Sequence, residues 1–144
     1  MPSNIRIDTG IKRILINDGP DYLEFNPKDV IFAEKFYGLV AEFEAKLAEF
    51  KQRSNEIEAI VEVDSRGLPV NVTERLELIH EACVFIREKI DALFGANTSQ
   101  KLFGGAMVLD VFPQFFDGII PFIKEARGEK MDKYLPQHPN KVMK

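Results

Sequence analysis

Glu77-Leu78-Ile79-His80 is the one spacing in this chain with catalytic precedent, because a Glu-x-x-His on a helix puts both side chains on one face and di-metal helical bundles use two such copies. This chain holds a single copy. Its other histidine, His138, has Leu135 where a second glutamate would stand, leaving either a metal shared between subunits or a helical histidine beside a solvated glutamate. Asn17-Asp18-Gly19-Pro20-Asp21 resembles a calcium loop in composition but lacks the ligand spacing and the closing glutamate. No Gly-rich phosphate loop, Ser-His-Asp set or Cys-His pair can be assembled, and Gly104-Gly105 follows a short helix rather than a strand. The expectation is a protein that is not an enzyme, with no catalytic, cofactor-binding or metal-binding residues.

The elements that would position any site are those of one domain. A chain of 144 residues is long enough for a single sizeable core. A net charge of -4 and a pI near 5.3 argue against nucleic acid as a partner, and no apolar run reaches the length of a membrane span. The single cysteine, Cys83, forms no internal disulfide and falls in an apolar helical stripe, so it is read as a small core residue. With no charged-then-apolar leader at the start, the chain is expected to be intracellular, and Asn71-Val72-Thr73 and Asn97-Thr98-Ser99 become helix starts rather than glycosylation sites.

The pattern predicts a mainly α fold: an antiparallel helix pair plus a kinked C-terminal helix, with a small N-terminal β-hairpin. In residues 4–16, Ile5 and Ile7, then Ile14 and Ile16, alternate with polar neighbours around Asp8-Thr9-Gly10, which predicts the hairpin. Such a hairpin must lie on the helices or extend a sheet in another subunit. Asn26-Pro27 opens a helix over 27–60, on which Phe36, Val40, Phe43, Leu47, Phe50 and Ile57 form a heptad stripe. Phenylalanine at 36, 43 and 50 repeats every seven residues and marks a packing or oligomer seam wider than a two-stranded coil. Gly67 and Pro69 end that helix in a mobile connection.

Asn71 and Glu74 suggest a capping box for a second helix over 71–94, with the stripe Val72, Leu76, Ile79, Cys83, Ile86, Ile90 and Leu93. A short helix over 97–103 and a last one over 107–134 follow. Asp110 is the expected cap, Pro113 lies harmlessly in the first turn, and Pro121 should kink the helix. Residues 1–135 then form the domain and 136–144 a disordered tail. The composition is unusual in its twelve phenylalanines and absent tryptophan. The concentration of Phe and Ile between 102 and 123 exceeds what one helix face needs, so Phe103, Phe112, Phe115, Phe116 and Phe122 are the candidate groove for an apolar helical segment of another protein.

Four stretches carry a resemblance: DYLEFNPKDVIFAEKFYGLVAEFE at 21–44, LIHEACVFIREKIDALFG at 78–95, NTSQKLFGG at 97–105 and FPQFFDGIIPFIKEAR at 112–127. Together they make the chain similar to the tail assembly chaperones of long-tailed phages and of Gram-positive prophages, over residues 21–134. None is a catalytic motif. The resemblance implies a chaperone in the cytoplasm of the bacterial host that binds the tape-measure protein, shields its apolar stretches and helps recruit the tail-tube protein, with a homo-oligomer among the allowed states. The alternative is a structural tail component or helical adaptor that remains in the assembled particle.

Overall fold

The computed structural model describes residues 3–128. Two strands, β1 (Lys12–Leu15) and β2 (Tyr22–Phe25), precede four helices: α1 (Val30–Glu58), α2 (Val72–Phe94), α3 (Thr98–Phe103) and α4 (Val111–Arg127). The fold is therefore mainly α with a small N-terminal antiparallel hairpin. Among the described residues no helix is long and apolar enough to cross a membrane.

The hairpin lies one strand later than the isoleucine alternation placed it. β1 pairs with β2 from Lys12↔Phe25 to Leu15↔Tyr22, while residues 3–11 form no strand. The reason is turn geometry. Asn17 and Asp18 both take left-handed backbone angles (φ 52° and 57°), and the Ile16 N–H donates to Asp21 O at 3.0 Å, so 16–21 reverses the chain. Asp8 instead accepts the Gly10 N–H at 2.9 Å in a local turn that redirects the chain without returning it. Leu23 and Phe25 face inward and Arg13 meets Glu24 at 2.7 Å on the outer face.

α1 starts at Asp29, three residues later than the Asn26 cap. The Asp29 carboxylate accepts the Ile31 N–H at 2.9 Å, whereas Asn26 accepts Lys28 N–H and donates to Thr9 O at 2.8 Å, tying the N-terminal arm down. α1 and α2 run antiparallel, as Glu58–Arg75, Arg53–Glu81 and Glu42–Lys89 ion pairs show. Their connection is an ordered turn rather than a free loop: Asp64 accepts the N–H groups of Arg66 and Leu68 at 2.8 and 3.0 Å, which holds its carboxyl below the usual range. Asn71 stands at the start of α2 without capping it. Its amide donates to Ile57 O and Ile60 O, at 2.9 and 3.1 Å, and so finishes α1.

α3 is capped from a distance, because the Asp91 carboxylate of α2 accepts both the Ser99 N–H and its hydroxyl. Arg87 then donates to Gly104 O and Ala106 O at 2.7 and 3.0 Å, fixing the Gly104-Gly105 corner against α2. α4 begins at Val111, not 107, since Met107 and Val108 are irregular and Leu109-Asp110 form the turn that leads into it. It continues through Pro121 as one helix, and Arg127 donates to Lys28 O at 3.0 Å beside the start of α1. Residues 129–134 of the expected helix and the expected tail at 136–144 lie outside the described residues.

The core has three parts. Ile16, Leu23, Phe25, Phe36, Ile119 and Ile123 join the hairpin to α1 and α4; Phe50, Leu78 and Ala82 join α1 to α2; Cys83, Ile90 and Phe112 join α2 to α4.

Candidate partner-binding groove

Along one side of the molecule α1, α2 and the start of α4 diverge and leave an apolar groove of about 480 Å³. α1 contributes Phe43, Leu47 and Phe50 from its heptad stripe; α2 contributes Leu78, Ile79, Ala82, Phe85 and Ile86. Leu109, Phe112, Pro113 and Phe116 close the third side. The α4 residues arrive there because 112 and 116 are one turn apart on the same face, and Pro113 in the first turn leaves no orphan donor. Leu47 is 60% exposed although it lies in the seam stripe, which leaves the groove open to solvent.

The walls are braced by aromatic edges. Phe43 meets Phe116 at 5.3 Å, near perpendicular, and Phe85 lies between Phe43 and Phe50 at 6.0 and 6.4 Å. Lys46 sits over the Phe50 and Phe85 rings at 5.7 and 5.5 Å, and Lys89 covers Phe85 at 5.6 Å. Arg53 holds the Glu81 carboxyl below its ordinary value by hydrogen bonding. The only charged side chains in the lining are Lys46, which pairs with Glu49 at 3.0 Å, and Lys51. A narrower depression lined by Ile57, Val72 and Leu76 shares Ser54, Leu78 and Ile79 with the groove and prolongs it toward the α1–α2 turn.

The structure sorts the sequence candidates into two groups. Phe43 and Phe50, read as a seam, and Phe112 and Phe116, read as a partner surface, all line the same groove. The others pack elsewhere. Phe36 is buried in the hairpin core; Phe122 packs edge-on against Phe25 at 6.1 Å; Phe115 contacts Phe94 at 5.5 Å and Phe103 at 6.1 Å. Phe103 in turn packs on Phe112 and under Arg87. Phe103, Phe115 and Phe122 are thus half-buried residues packed against the core and lie outside the groove lining, because α4 is apolar on two faces and each face meets a different neighbour.

Phe85 escaped the sequence reading. The stripe through Val72, Leu76 and Ile79 leaves those residues exposed at the surface, whereas Leu78, Ala82 and Phe85 turn toward α1. The steps of four and three from 78 through 82 to 85 were the available signal. Glu77 and His80 lie exposed on α2, and among the described residues no group of three metal-capable side chains converges.

Comparison with known proteins returns neither a curated protein nor a solved structure that matches. One family model, described as a family of unknown function, matches residues 21–144, which takes in β2, all four helices and hence the whole groove. This chain belongs to that family, DUF6673.

Proposed function

We propose that the protein is a non-enzymatic tail assembly chaperone of a phage or prophage, which holds an apolar helical segment of the tape-measure protein in the α1–α2–α4 groove. The observation that supports this is the groove itself: a long, open, almost wholly apolar trough with aromatic walls and a lysine rim. From Phe43 to Ile57, α1 offers about 20 Å of length at 1.5 Å per residue, enough for roughly four turns of a bound helix. Lys51 at the rim favours a helix with acidic residues beside its apolar stripe. The resemblance of residues 21–134 to tail assembly chaperones names the tape-measure protein as that partner and the tail-tube protein as a further one. In this reading the protein acts in the cytoplasm of the bacterial host, uses no cofactor and touches neither nucleic acid nor membrane.

Co-expression with the long helical protein encoded next to it tests the proposal. Wild type should keep that protein soluble, and Leu47→Asp with Ile79→Asp should abolish the effect while remaining folded, since both positions are solvent-accessible. Equal solubilisation by the variant would sink the groove assignment. A structural component that stays in the particle is the second reading, favoured by the exposed isoleucine arm before β1; mass spectrometry of purified particles separates the two, because a chaperone departs.

A further inference from the structure

Beyond the Asn26–Thr9 tie, the described part of the N-terminal arm packs its isoleucines on nothing in its own subunit. Ile5 is 84% and Ile7 78% exposed, alternating with Arg6 and Asp8 in a backbone that joins no strand among the described residues. An isoleucine on every second residue is the pattern of a half-buried strand, so these side chains lack the surface they match. Asn26 holds Thr9 O at 2.8 Å, and this fixes where the arm leaves the domain.

A complementary edge exists on the same fold. The Ile16 N–H donates to Asp21 O, so the alternation of an antiparallel ladder makes Ile14↔Leu23 and Lys12↔Phe25 the bonded pairs. The backbone groups of Tyr22 and Glu24 therefore point away from β1. They open onto a slot of about 370 Å³ between β2 and the end of α2, bounded across from them by Phe94, Ala96 and Lys101. Lys101 stands at the turn end of this slot, because Asn17 donates to Leu102 O at 3.1 Å.

We infer that the slot beside β2 receives the Ile5–Asp8 strand of a second copy of this chain, running antiparallel to β2. Charge decides between the two possible donors. In the antiparallel register Arg6 lies opposite Glu24, which Arg13 already meets from the β1 side at 2.7 Å, and Asp8 lies opposite Tyr22, beside Lys101. Ile5 and Ile7 then face inward with Phe25 and Leu23, onto Phe94 and Ala96. The chain's own arm leaves its domain at the far end of β2, beside Asn26, and would enter parallel to β2. That direction brings Asp8 toward Glu24, like against like, and sets Arg6 at the turn end beside both Lys101 and Asp21. A second copy supplies the matched direction, and the two-stranded sheet gains a third strand. This inference does not rest on the chaperone reading, and the arm precedes the family-matched residues 21–144.

Sedimentation of the full chain from micromolar to millimolar concentration tests it. Wild type should sediment as a multiple of the 16.4 kDa chain. Ile7→Asp and Arg6→Glu should each return it to a monomer with unchanged helical circular dichroism. A wild-type monomer throughout overturns the inference, as does a monomer whose Tyr22 and Glu24 amides resist hydrogen exchange, which would mean that the own arm fills the slot. Assembly that persists in Ile7→Asp and Arg6→Glu places the contact elsewhere and overturns it equally.

Discussion

Asn71 shows how one side chain can serve a neighbour instead of its own helix. It is buried, its side-chain amide nitrogen donates to two carbonyls at the end of α1, and its side-chain Oδ1 has no partner. Replacing it with alanine strands both carbonyls, so Asn71→Ala should cost about 1–3 kcal/mol in urea unfolding. Asn71→Asp should cost more at neutral pH, because a carboxylate meets those carbonyls; an aspartate variant as stable as wild type would refute the assignment. Cys83 is another residue defined by its surroundings. It has no exposed surface, and burial pushes its thiol pKa up, opposed by the Arg87 charge. The nucleophilic thiolate is scarce as well as covered. Labelling by a maleimide should therefore proceed only through unfolding and should accelerate with denaturant in step with the loss of helical signal.

At the scale of elements, α4 carries a cost that its packing outweighs. Pro121 sits inside the helix, exposed, and removes one backbone donor. Pro121→Ala should raise stability by about 1–3 kcal/mol, since alanine restores the donor and removes the ring clash, and thermal unfolding reads the gain directly. Gly118 has open space where a Cβ would stand, and so does Gly38 in α1. Alanine at either should add about 0.5–1 kcal/mol by narrowing the unfolded ensemble. A loss of stability at Gly38 would show that a partner approaches there. Helix existence and order were legible in the sequence because periodic apolar stripes and the Gly and Pro breaks are local signals. Helix starts were less so. Asn26 and Asn71 have good capping chemistry, yet each finds a tertiary partner, Thr9 O or the end of α1, that competes with its own first turn. The hairpin register was misplaced for a similar reason: two turn signals lie in series, and only one reverses the chain.

For the whole molecule, the surplus of phenylalanine divides between interior and groove. Phe115 and Phe122 connect α4 to α2, α3 and the hairpin, while Phe43, Phe85 and Phe116 wall the trough. Phe115→Asp with Phe122→Asp is thus expected to destabilise the chain strongly, since each half-buried ring is replaced by a charge facing apolar neighbours. Leu47→Asp with Ile79→Asp should leave circular dichroism and the melting midpoint near those of wild type. If the first pair stayed folded and the second did not, interior and groove would have been exchanged. The groove was half legible: the stripe and the apolar C-terminal segment named four of its aromatic residues, Phe43, Phe50, Phe112 and Phe116, as members of two separate surfaces.

What the sequence determined by itself is what neighbouring residues settle among themselves: four helices, their breaks, and an apolar surplus too large for one face. Which face of each helix is covered depends on residues distant in the chain, and periodicity cannot say it. α2 carries two apolar rows, and only the position of α1 decides that Leu78, Ala82 and Phe85 turn inward while Leu76 stays 60% exposed. In the same way, only the packing of α4 across α2 turns Phe115 to the core and Phe116 to the groove, because adjacent residues on a helix point about 100° apart and the two walls lie on different sides.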